Sequence, residues 1–334
     1  MREFAVMTLP SARGEVSAAL IEVLARRPAQ AGARPFGGVD PAGADPYGDD
    51  LHLALYLCYE LHYRGIAGVD ERWEWDARLL ELRAGLEGRF LAALRADVPV
   101  TGGLPEVLDD LLLEPVEGTG VSYFLRDRAE LAHVREYAAL RSLYHLKEGD
   151  PHVWVVPRLT GRAKAAFVAV EYDEYGGGRA DRMHVRLYAD LMADLGLSPD
   201  YGHYLESGTA ELLATVNLMS LLGLHRALRG ALVGHFAAVE ITSSPGSRRI
   251  AQGMKRLGAG PAAVGFYAEH VEADAVHEQV VRREVIGGLL DTEPQLERDV
   301  AFGVLATGWL EDRLGDRLLG AWEAGRSALR APLS

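Results

Sequence analysis

The sequence predicts an all-α protein folded as a helical bundle. Three observations carry this: apolar residues recur at helical spacing along most of the 334 residues, alternating strand patterns are nearly absent, and Pro/Gly clusters cut the chain into helix-length pieces. Hydrophobic residues make up 49% and charged residues 25%, enough to bury a large core. The length is about twice that of a common domain.

The elements follow in order. Residues 12–27 carry Val16, Leu20, Val23 and Leu24 on one helical face. Residues 28–48, rich in Pro and Gly, read as an irregular connector. Helices are expected at 49–64 and 76–96, the second capped by Asp76 and burying Leu79, Leu80, Leu82 and Leu86. Pro and Gly in 97–123 mark a boundary. It divides an N-terminal helical region, 1–120, that serves packing or dimerisation, from a main domain, 121–330. Further helices are expected at 125–148, 160–175, 179–195, 205–222, 225–242, 246–257, 261–288 and 292–322. Val153-Trp154-Val155-Val156, between Pro151 and Pro157, reads as an extended connector.

Composition excludes several functions. A net charge of −13 repels phosphate backbones, so nucleic acid and anionic membrane are poor partners. The single cysteine, Cys58, can form no disulfide within the chain and reads as core. No uncharged apolar run of about 18 residues and no leader-like N-terminus is present, which predicts a cytoplasmic protein. There is no His-Glu-x-x-His motif, phosphate loop or nucleophile elbow. A ferritin-type iron site needs two Glu-x-x-His pairs, and the chain has one, Glu130 with His133.

The sharpest chemical signal is His270-x3-Asp274-x2-His277. On a helix Asp274 lies about 40° from His270, and His277 about 20° to the other side, so all three share a stripe. Two imidazoles and a carboxylate form a metal half-site suited to iron or another first-row ion; a solvated face is the alternative. Glu240 interrupts the apolar run His235-Phe-Ala-Ala-Val-Glu240, where a lone charge needs a cation, either a metal or an Arg. His184 starts a helix. Glu174 precedes three consecutive glycines, and Glu148 ends a helix whose dipole it opposes. Asp181, in Asp181-Arg-Met-His184, is a reserve ligand.

These segments, with Leu146-Lys147-Glu148-Gly149-Asp150-Pro151-His152 and Asp173-Glu174-Tyr175-Gly176-Gly177, resemble the haem-oxygenase-like di-iron oxidases, iron-containing redox enzymes, over about residues 125–290. The resemblance implies a haem-oxygenase-like helical fold holding two irons in place of haem. It implies Glu148, Glu174, His184, Glu240, His270, Asp274 and His277 as ligands. Members that use a Glu seven residues before the early histidine find Gly177 here. Glu148 and Glu174 stand 36 and 10 residues before His184 (184 − 148 and 184 − 174), the layout of the N-oxygenating branch. Glu174 is then the residue expected to direct catalysis.

The expected activity is O2-dependent N-oxygenation of an amine or guanidine in a small amino-acid-like substrate of specialised metabolism, with electrons from an external reductase. Oxidative C–C cleavage or decarboxylation is the alternative reaction. A non-catalytic iron-binding helical protein is the alternative class. A true haem oxygenase would need one proximal histidine and a basic rim for the propionates. Arg158 and Arg64 are candidates to grip a substrate carboxylate, or structural ion pairs. Glu60 and His62 lie on different helix faces and form no chelate. Trp73-Glu74-Trp75 reads as seating the N-terminal helices on the main bundle, or as the surface of a homodimer.

Overall fold

The computed structural model describes residues 6–113 and 118–333, except for the side chains of 272–276. Among the described residues there is no β-strand, only one isolated bridge between Thr8 and Ala67. The all-α expectation therefore holds.

The N-terminal helices are α1 (Glu15–Leu24), α2 (Asp49–Glu60) and α3 (Ala77–Asp97). Helix α1 buries Val16, Leu20, Val23 and Leu24. Its free N-terminal amides are capped from outside: Val16 and Ser17 N–H donate to the Asp50 carboxylate at 2.9 and 2.7 Å. In α2 every residue from Leu51 to Glu60 is buried. Asp76 caps α3 by accepting from Arg78 N–H at 3.0 Å. Leu79, Leu82 and Leu86 are buried as expected, whereas Leu80 is half-buried.

The described residues of the 97–123 segment form helix where Pro and Gly suggest a boundary. The segment contains one seven-residue helix, α4 (Leu104–Asp110), and the start of a second, α5 (Val121–Asp127). Next come α6 (Leu131–His145), α7 (Gly161–Glu174), α8 (His184–Asp194) and α9 (Ala210–Leu224). The Val153–Arg158 stretch is a 3-10 helix, not the extended connector expected.

The larger correction concerns α10 (Arg229–Arg256), which runs unbroken through Pro245 where two helices were expected. An internal proline costs about 3 kcal/mol. Packing against its neighbours along α10 outweighs that cost: it lies against α11 (Pro261–Val280) and α13 (Glu297–Glu323), with α12 (Gly287–Thr292) between them in sequence. The α10–α13 crossing is backbone to backbone. A Cβ on Gly234 would meet Val300 O, and one on Gly303 would meet Ala231 O, each at 1.9 Å. Beyond Val280 the chain continues as a π-helical turn, Val281–Ile286, into α12.

Helix α2 packs on α9, and α9 on α13. His52 sits at the first contact, fully buried. Its Nε2–H donates to Pro46 O at 3.0 Å, and its Nδ1 accepts from Asn217 Nδ2 at 3.2 Å. Burial pushes its pKa down to about 3. The unfolded chain titrates near 6.5 and binds the proton first, so His52 contributes stability that is lost as pH falls from about 6.5 toward 3. The loss is on the order of 2 kcal/mol between about pH 6.5 and 5. Urea unfolding of the metal-free protein should show this slope, flattened by that amount in His52→Gln.

Candidate metal centre

Five elements deliver the side chains. Glu148 lies in the turn after α6, Glu174 is the last residue of α7, His184 the first of α8, Glu240 is on α10, and His270 and His277 are on α11. Glu174 and His184 meet because of the three glycines between them. Gly176, Gly177 and Gly178 have φ of 68°, 61° and 79°, a run that only glycine adopts without strain. A Cβ on Gly176 would lie 2.6 Å from the backbone of Arg182 and Met183. The reversed chain brings His184 Nδ1 to 2.7 Å from Glu174 Oε2.

The result is two buried triads. Glu148, His184 and His270 form one; Glu174, Glu240 and His277 form the other; in each, the ligand atoms lie within 4.8 Å of one another. Glu148 Oε2 is 3.9 Å from both His184 Nδ1 and His270 Nε2. His277 Nδ1 is 3.0 Å from Glu240 Oε2. The first triad is nitrogen-rich and the second oxygen-rich, and Glu174 joins them through its contact with His184. Asp274 falls among residues 272–276, outside the described side chains.

Outer contacts fix which atom of each ligand faces the centre. His270 Nδ1–H donates to Phe266 O at 2.8 Å, which leaves Nε2 turned toward Glu148. His145 Nδ1 lies 2.8 Å from Glu148 Oε1, so Oε2 points inward. His277 Nε2 lies 3.0 Å from Asp173 Oδ2, so Nδ1 faces Glu240. Burial pushes the Glu148 carboxyl up, but His145, His270 and His184 outweigh it and hold the acid well below its ordinary range.

Charge balance tests whether metal fits. Glu148, Glu171, Glu174 and Glu240 are each 3–6% exposed. Glu148, Glu174 and Glu240 line a cavity of about 300 Å³ whose one Lys or Arg side chain among the described residues, Arg141, is paired with Glu311 at 2.8 and 3.1 Å. Burying several carboxylates together is costly unless positive charge compensates them. Divalent ions would compensate these buried acids, and the mixed N/O donors of the two triads suit first-row metals.

Glu171, His145, His152, His235, Asp173 and Arg141 were not singled out from the sequence. His152 is buried beside Glu171, with Nδ1 3.7 Å from Oε1, and burial pushes its pKa down to about 4. His235 Nδ1 meets Thr307 Oγ1 at 2.8 Å behind it.

Several sequence candidates stand elsewhere. Asp181 is exposed and pairs with Arg179, so it is no reserve ligand. Glu130 N–H donates to His133 Nδ1 in a helix cap. Arg158 donates to the carbonyls of Gly223 and Leu224 at the end of α9, and Arg64 donates to Leu146 O while stacking over Tyr201. Both are structural, and neither lines the cavity. Glu60 is buried in a pair with Lys147, and His62 contacts Glu74 and Arg83. Trp73 Nε1–H donates to Arg26 O within the N-terminal region, and Trp75, largely exposed, packs against the His62 ring.

No helix among the described residues is long and apolar enough to cross a membrane. A nitrosourea synthase from Streptomyces achromogenes subsp. streptozoticus is 25% identical to this chain over 146 residues, 44% of this chain and 31% of that protein. The match thus spans about a third of the relative's length. The profile of the iron-containing redox enzymes matches residues 135–312, over half of the chain and the stretch that holds both triads. The chain belongs to the iron-containing redox enzyme family.

Proposed function

We propose that the protein is a non-haem di-iron oxygenase that places an oxygen atom on the nitrogen of an amine or guanidine in a small amino-acid-like substrate. The observation that carries this reading is the pair of adjoining buried triads opening onto one cavity. The direction of the chemistry follows from the relative: a nitrosourea bears oxygen on nitrogen, and Glu174 supplies the oxygen-rich triad with a second described carboxylate. The net reaction is R–NH2 + O2 + 2 e⁻ + 2 H⁺ → R–NHOH + H2O, with the electrons from an external donor. Two ferrous ions, when bound, supply the redox chemistry at which O2 is reduced.

The chain's own residues position the reactants. Phe266, Tyr144 and Tyr267 line the cavity, excluding water beside the ligands. Arg141, on α6, and Glu148, in the turn after it, line the same cavity. Arg141 can therefore hold a substrate carboxylate while a terminal nitrogen reaches the centre, with Glu311 beside it for the ammonium group.

Two measurements test this. Anaerobic Fe(II) titration followed by O2 and an amine panel should give two irons per chain and an N-hydroxylated product by mass spectrometry; absence of both would end the proposal. In Arg141→Gln, KM for a carboxylate-bearing substrate should rise about 10- to 100-fold with kcat little changed. The decarboxylated amine should lose nothing; equal losses would remove Arg141 from substrate binding.

A further inference from the structure

The four central carboxylates are not used alike. Glu148, Glu174 and Glu240 belong to the triads, while Glu171 belongs to neither. Yet Glu171 is 3% exposed, and neither of its oxygens has a hydrogen-bond partner. Such a group is costly to keep unless something else uses it. The basic atom beside it, His152 Nδ1, is 3.7 Å from Oε1, beyond hydrogen-bond distance.

Space is also kept for it. Gly149 directly follows Glu148 and has φ +85°. A Cβ there would lie 3.1 Å from Glu171 Oε2, closer than ordinary packing allows. Glu171 is three residues before Glu174 on α7, so both side chains leave the same face of the helix. Glu174 belongs to the second triad, and the shared face sets Glu171 one helical turn from it. The second triad, with one imidazole and two carboxylates, is therefore its neighbour.

We propose that Glu171 is a further metal ligand, turning its carboxylate onto the ion held by Glu174, Glu240 and His277. This rests on the di-iron reading above. A fourth described donor, and a third carboxylate, would make that ion harder and more electron-rich than the one held by Glu148, His184 and His270. The two irons would then differ in affinity and in reduction.

Anaerobic titration with Co(II) and with Fe(II) tests this on the full chain, read by metal counting and by the visible Co(II) bands. Wild type should bind two ions. In Glu171→Gln, a near-isostere that fits the same space, one ion should bind at least about 10-fold more weakly. Its Co(II) bands should intensify as coordination number falls, and Glu171→Asp should restore part of both changes. Matching thermal melts of the metal-free variants show that folding is not the cause. Two ions in wild type with unchanged affinity and bands in Glu171→Gln would overturn this inference alone. A wild type that binds no ion would overturn the di-iron reading as well.

Discussion

His277→Ala is expected to bind one iron per chain where the wild type binds two. His277 is the one imidazole described in the oxygen-rich triad, and it is held on both sides, by Glu240 at 3.0 Å and Asp173 at 3.0 Å. Its removal leaves that ion no described nitrogen donor, while the Glu148–His184–His270 triad is untouched. The second ion should bind at least about 100-fold more weakly, since loss even of an outer partner costs 10- to 100-fold. Fe(II) titration with metal counting checks it. His133→Ala, at a half-buried cap histidine outside the cavity, is the control and should bind two. A His277→Ala chain that binds two irons at wild-type affinity would refute the two-triad arrangement.

Glu174→Ala should retain iron yet lose oxygen transfer by about 100-fold or more. Each ion keeps one carboxylate and at least one imidazole, and water can replace a lost oxygen ligand on a hard cation. What disappears is the link between the triads, the 2.7 Å contact of Glu174 with His184, and the negative charge it brings. N-hydroxylated product per turnover should fall while the iron count stays near the wild-type value. Normal turnover would remove the argument for an N-oxygenase-type site.

The sequence showed the stripe on α11 because helical spacing alone places His270 and His277 together. Glu240 was visible because a charge stood in an apolar run. Glu171 was not: in Glu171-Tyr172-Asp173-Glu174 three acids stand within four residues, and which of them turn inward depends on how α7 is rotated against its neighbours. Glu171 and Glu174 are buried there, and the Asp173 side chain is 56% exposed. Arg141 was missed for a related reason. Its partner Glu311 lies 170 residues away, whereas Arg64 and Arg158 stood beside conspicuous motifs and turned out to hold backbone carbonyls. Pro245 misled because local propensity says nothing of the packing that holds α10 straight through it.

The triple-glycine reversal between α7 and α8 also limits how such an enzyme can diversify. Lengthening or stiffening that joint would pull Glu174 from His184 and disturb both cation seats at once. New substrate preferences are therefore expected to arise on the opposite wall, where Arg141 and Glu311 can be exchanged without moving a donor atom, while the joint itself stays invariant through descent.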